Sequence, residues 1–120
     1  MPHIPQAFAE NTFTAEVLNS TQSVLVDFWA PWCAPCRVVS PIVDELAREY
    51  GDRVKVGKVN IDQNEALAFK YDIISIPALV VFKDGRPMSK QVGVVPKATI
   101  ADMLDEAIAA ASKAAPPKAA

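Results

Sequence analysis

The seven residues Val24-Leu25-Val26-Asp27-Phe28-Trp29-Ala30 are apolar at every position but one. A strand with one wet face alternates polar and apolar side chains, whereas an unbroken apolar run belongs to a strand covered on both faces. A strand of this kind lies in a sheet with both faces covered, and its lone acid, Asp27, is carried inside with it. Directly after the run comes Trp32-Cys33-Ala34-Pro35-Cys36, which holds both cysteines of the chain, and a helical pattern follows the second. Strand, turn, Cys-x-x-Cys, helix is an arrangement that makes a thiol reactive.

The spacing explains why. Residues i and i+3 in the first turn of a helix lie about 5–6 Å apart at Cβ. A disulfide tolerates Cα separations of about 4.4–6.8 Å, so Cys33 and Cys36 can pair or part with little backbone movement. A helix start also presents unpaired N–H groups and the positive end of the macrodipole, which favour a thiolate at Cys33. A free cysteine titrates near 8.5, and Cys-x-x-Cys at a helix start at roughly 3.5–7.5. At pH 7 that changes the thiolate fraction from about 3% to about half for a pKa near 7. The gain in attack rate is smaller, because nucleophilicity falls with basicity. Pro35 suits the first helical turn, where its missing N–H is not needed.

Three plainer readings compete. As a structural staple, a loop of about four residues would remove only about 2 kcal/mol of unfolded-state entropy. A zinc site needs four ligands, and the chain has no third cysteine and a single histidine, His3, thirty residues before Cys33. Two inert buried thiols fit poorly with the Trp-Cys-x-Pro-Cys context. Redox exchange is the favoured reading.

Along the chain, Asn11 or Thr12 can cap a short first helix reaching about Asn19. A long helix from about Pro35 to Tyr50 places Val39, Ile42, Val43, Leu46 and Tyr50 on one stripe. Asp44, Glu45, Arg48 and Glu49 read as its solvated face. Pro41 sits inside this helix and is expected to kink it by removing one ladder bond. Val54–Ile61 reads as a second buried strand, 62–72 as a short helix or irregular turn, and Leu79–Lys83 as a third strand. Asp84-Gly85 signals a hairpin to an antiparallel strand, Met88–Val92. The last helix, about 97–112, sets Ile100, Met103, Leu104, Ala107 and Ile108 on one face. Pro2 and Pro5 confine any first strand to an edge. The expected architecture is α/β, a mixed central sheet covered by helices on both faces. Residues 1–110 form one domain, and the Ala/Pro/Lys-rich segment 111–120 is expected to be a disordered tail.

A formal net charge of −2, from 12 basic and 14 acidic residues, leaves no basic surplus for a nucleic acid. The first residues lack the basic and apolar regions of a signal peptide, and no run is long enough to span a bilayer. The cytoplasm is the expected location, where a cysteine pair is more often catalytic than structural.

Asp-Phe-Trp-Ala at 27–30, Trp-Cys-x-Pro-Cys at 32–36, Pro41, Lys58, Asn-Ile-Asp at 60–62, Ile76-Pro77, Phe82-Lys83-x-Gly85 and Gly93 together resemble the landmarks of the thioredoxin family, in order. The resemblance covers about residues 8–110. It departs at Ala34, where the family usually carries glycine before Pro35, and at Ala78, where threonine commonly follows the proline. It implies the thioredoxin fold, with five strands and four helices.

Several roles follow from the resemblance. Asp27 is a buried acid whose pKa desolvation raises, and the family implies that it relays a proton to or from Cys36. The plainer alternative is an acid satisfied by a nearby donor. Lys58 is its natural counter-charge, or else a snorkelling side chain with its amine in water. The family carries a cis proline at the position of Pro77, which leaves the backbone of Ile76 free to pair with a substrate strand. Trp32, Ile76, Pro77, Gly93 and Val94 would form a flat apolar docking surface around Cys33. Ordinary exposure is the alternative for Trp32 and Val94. Trp29 reads as packing beneath the site.

The expected activity is reduction of disulfides in client proteins. Cys33 attacks a client sulfur, and Cys36, the less exposed of the two, resolves the mixed disulfide. With no Gly-rich nucleotide motif or flavin site, the chain is expected to carry no cofactor. Electrons would come from an NADPH-linked thioredoxin reductase, as the resemblance implies, to a protein expected to be a monomer. Two other readings remain: an oxidase or isomerase of the same fold, and a non-catalytic binding module that uses the apolar patch.

Overall fold

The computed structural model describes residues 3–110; the expected tail at 111–120 lies outside them, as does Pro2. Strands β1 (Gln6–Ala7), β2 (Ser23–Trp29), β3 (Val54–Asn60), β4 (Ala78–Lys83) and β5 (Arg86–Val92) form one sheet in the order β1-β3-β2-β4-β5. β1 and β2 run parallel to β3, whereas β4 is antiparallel to both β2 and β5. The sheet is mixed, as expected. Helices α1 (Glu10–Phe13), α2 (Ala34–Tyr50), α3 (Glu65–Lys70) and α4 (Lys97–Ala109) cover it.

The two faces of β2 go to two cores. Val24, Val26 and Phe28 pack with Phe13 and Phe82 under α1 and α3, while Leu25 packs with Val39, Leu46 and Leu104 under α2 and α4. Full burial of side chains of this size contributes about 1.5–3 kcal/mol each. Every β2 residue except Trp29 is buried, which is why its sequence shows no alternation. Asp27 shares the α2 side with Leu25, because alternate residues point to one face.

Two close approaches fix the layers. The Phe8 ring lies over Gly57 so closely that a Cβ there would collide with it. At the far end of α2, Tyr50 donates to Asp105 of α4 over 2.6 Å, and the Arg53 guanidinium lies 4.7 Å from the Tyr50 ring centre. The Asp84-Gly85 turn has φ of 53° and 79°, both positive as a tight two-residue hairpin requires.

Two local expectations are corrected. The first helix is capped by Ala9 rather than Asn11 or Thr12, and it runs on into a π-helical turn over Thr14–Leu18. Its free N–H groups are met by side chains: Ala9 donates to Thr12 Oγ1 and Glu10 to Asn64 Oδ1, each over 3.0 Å. Ile108 is exposed, whereas Ile100, Met103, Leu104 and Ala107 are buried. Pro41 lies inside α2, as expected, and the helix runs from Ala34 to Tyr50 as one element. Among the described residues, no helix is long and apolar enough to cross a membrane.

Candidate active site

Strand directions decide what meets at one edge of the sheet. β2 and β3 end at the edge where β4 begins and β5 ends, since Phe28 pairs with both Val59 and Ala78, and Ala78 with Val92. The segments 30–36, 61–64, 74–77 and 93–95 therefore emerge together. The cysteines, Pro77 and Gly93, far apart in sequence, share this rim.

Cys33 is the N-cap of α2, with extended backbone (φ −92°, ψ 105°), and Ala34 and Pro35 form the first helical positions. Cys33 and Cys36 are joined as a disulfide with a Cα–Cα distance of 5.3 Å. The N–H of Cys36 donates to Cys33 Sγ over 3.2 Å. The sulfur thus takes the place of the side-chain oxygen that usually meets the orphan donors of a helix start. The expectation that Cys36 is less exposed than Cys33 is not met in this oxidised form, where both are 4% exposed.

Beneath the pair lies a cavity of about 200 Å³ lined by Asp27, Trp29, Cys36, Ser40 and Lys58, among others. It has room for water. Asp27 is buried and its Oδ1 has no hydrogen-bond partner. Burial pushes its pKa from the ordinary 3.8 to about 7, against a lowering by Lys58 and with a further rise from Asp44. The acid reaches the site unionised at mildly acidic pH and can take up or release a proton near neutrality.

Lys58 is the register partner of Asp27 on the neighbouring strand, and it faces the α2 side as the Val54, Val56 alternation predicts. Its Nζ, however, bonds to Ser40 Oγ at 2.6 Å and pairs with Asp44 Oδ1 at 3.1 Å. It acts on Asp27 through space as a counter-charge, while its amine is held on α2 rather than standing free in water. Asp44 is an ion-pair partner in this cluster and not merely part of a solvated face.

Around the sulfurs, the Ile76-Pro77 bond is cis, and the Pro77 carbonyl accepts from Gly93 N–H over 2.8 Å. Among the described residues, neither backbone group of Ile76 enters a backbone hydrogen bond. Gly93 has φ 91° and open space where a Cβ would stand, so the backbone, rather than crowding, requires glycine. Trp32 and Val94 are exposed, Pro77 is buried and Ile76 half-buried. Trp29 packs against Ala30 and both cysteines.

Sequence reasoning passed over four groups here. Asp62 accepts from Trp32 Nε1 at 3.1 and 3.2 Å through its two oxygens. Arg37 Nη1 donates to the Pro31 carbonyl over 2.9 Å, bracing the loop that carries the cysteines. Ser40 and Asp44 hold Lys58. The only signal for the last pair was their i, i+4 spacing on α2, which puts both on one helix face.

A helix-capped Cys-x-x-Cys disulfide at the edge of a mixed sheet, above a buried acid, defines a thiol–disulfide oxidoreductase. Comparison with known proteins gives the same result. A model of the thioredoxin family matches residues 5–106. The chain is 54% identical to thioredoxin 1 of Synechococcus elongatus over 103 residues, which are 86% of this chain and 96% of the relative. It is 48% identical to thioredoxin of Synechocystis sp. over 106 residues, covering 88% and 98%. Identity to the chloroplastic M-type thioredoxin of Chlamydomonas reinhardtii is also 48%, over 83% of this chain and 71% of the relative. The chain belongs to the thioredoxin family. Its Cys33–Cys36 disulfide is redox-active, and its activity is protein-disulfide reduction.

Proposed function

We propose that Cys33 is the attacking sulfur and Cys36 the resolving one. The observation that carries this is the Cys36 N–H directed at Cys33 Sγ, since a donor that stabilises a thiolate there selects it as nucleophile and leaving group. Cys33 thiolate attacks a client disulfide. The client S–S bond breaks, a Cys33–client bond forms, and the released client thiolate takes a proton. Asp27, as carboxylate, accepts the proton of Cys36 through the cavity they share. Cys36 then attacks Cys33 Sγ and expels the second client thiolate. Two electrons have passed to the client, and the Cys33–Cys36 disulfide is restored.

Lys58 tunes Asp27 electrostatically. Trp32, Ile76, Pro77, Gly93 and Val94 receive the client, whose extended backbone pairs with Ile76. Trp29 supports the site from below, Ala34 and Pro35 shape the first turn, and Pro41 lies in the helix behind it. The family relationship supports disulfide-bearing clients and a reductase donor in general. We take the donor to be an NADPH-linked thioredoxin reductase and the working unit to be a monomer of residues 1–110. We place it in the cytoplasm, where reducing conditions keep the pair in its dithiol form between turnovers.

Reduction of insulin disulfides with thioredoxin reductase and NADPH tests the assignment. NADPH consumption that depends on this protein is the expected result. Insulin reduction by dithiothreitol alone, with none from the reductase, would refute the proposed donor.

A further inference from the structure

Lys58 stands where two acceptors on one helix compete for its ammonium. Ser40 and Asp44 are four residues apart on α2 and both reach Nζ, at 2.6 and 3.1 Å. They differ in where they sit. Ser40 lines the cavity shared by Asp27 and Cys36, whereas Asp44 is not among its lining residues. The Asp44 side chain is 42% exposed against 22% for Lys58, so its pull on the ammonium is toward water. Ser40 is the hydrogen-bond partner of the ammonium on the cavity side.

We propose that Ser40 is a positioning residue of the exchange reaction: its hydroxyl holds the Lys58 ammonium at the mouth of the Asp27–Cys36 cavity against the outward pull of Asp44. This rests on the reading of Asp27 as the proton carrier and identifies what regulates it. The groups facing Asp27 are few. Lys58 comes from β3, and Cys36, Arg37 and Asp44 come from α2. Leu79 of β4 and the inward face of α4 add only apolar side chains. Among these charges, Lys58 is the one whose position a neutral side chain controls. Removing the Ser40 hydroxyl leaves the ammonium to Asp44, farther from Asp27, and the carboxyl then holds its proton to higher pH. Removing the charge of Asp44 has the opposite effect on two counts: the ammonium settles inward, and a negative neighbour disappears.

The test is a carbon-detected NMR titration of the Asp27 carboxyl in the oxidised full-length protein and three variants. Moving a unit charge outward by about 2 Å at an effective dielectric near 20 corresponds to roughly half a pH unit. Ser40→Ala is expected to raise the Asp27 midpoint by about that much. Ser40→Thr, which keeps the hydroxyl, is expected to stay near the parent, and Asp44→Asn to lower the midpoint. Alanine is the best helix former, so Ser40→Ala keeps α2 intact. An unmoved or lowered midpoint in Ser40→Ala, or a raised one in Asp44→Asn, overturns the proposal. The relay itself is tested separately by the pH profile of mixed-disulfide resolution in Asp27→Asn. An unchanged profile there would refute the relay, while the titration would still decide the role of Ser40.

Discussion

The backbone N–H of Cys36 points at the sulfur of Cys33, 3.2 Å away, so the two cysteines are chemically unequal although equally buried. In the reduced protein, Cys33 is expected to be alkylated first, with a midpoint clearly below the value of about 8.5 for a free thiol. Cys33→Ser is expected to abolish insulin reduction, and Cys36→Ser to accumulate covalent complexes with the client. Mass spectrometry of non-reduced mixtures reads both. Equal residual activity in the two variants would refute the division of roles.

Asp27 predicts how stability depends on pH. Its pKa in the folded protein, about 7, lies above the ordinary 3.8. Between those values the folded form binds more protons than the unfolded one, so stability falls as pH rises through the window. Ionising the buried carboxyl then opposes folding by on the order of 4 kcal/mol once pH exceeds about 8. In urea unfolding, Asp27→Asn is expected to gain stability relative to the parent as pH rises from about 4 to 8, with no further change beyond. A constant offset across that range would contradict the raised pKa.

How far the sequence led depends on the range of the interaction. The unbroken run Val24–Ala30 revealed a strand buried on both faces because burial itself writes that pattern. The cysteines, the Asp84-Gly85 turn and the core face of α4 up to Ala107 were equally local. Ile108 fits the helical period but lies at the end of α4, and periodicity does not tell where the sheet stops. The start of α1 was misplaced because one of its donors is met by Asn64, 54 positions along. Lys58 reads as the counter-charge of Asp27 and is its register partner on the next strand, whereas its contacts are on a helix whose height above the sheet no pattern encodes. The link from Trp32 to Asp62 likewise joins two loops 30 residues apart.

Trp32 and Asp62 give a test of the rim. Their hydrogen bonds are exposed, so losing them changes folding stability by less than about 1 kcal/mol. Asp62→Ala releases the indole from its fixed direction. The expected outcome is a KM for insulin raised about two- to fivefold with kcat unchanged. A fall in kcat at constant KM would place Asp62 in the chemistry instead.

Gly57 and Gly93 are expected to respond differently to alanine. At Gly93 nothing lies within 4 Å of the new Cβ, and the positive φ of 91° is the whole penalty, about 1–2 kcal/mol. At Gly57 the Cβ runs into the Phe8 ring, and overpacking of this kind destabilises by about 1–3 kcal/mol or more. Urea midpoints measure both. A Gly57→Ala variant as stable as the parent would mean that Phe8 is free to move aside.

The convergence of four short segments at one sheet edge separates what must stay constant from what is free to vary. The thiol pair and the acid beneath it belong to β2 and the head of α2, whereas three of the segments around them are connectors that supply no sulfur. If the rim receives clients as proposed, replacing 61–64, 74–77 or 93–95 would redraw the outline offered to a visiting protein while leaving both sulfurs and the acid in place. A single reactive centre with an exchangeable frame is a natural starting point for a set of reductants that differ in whom they serve.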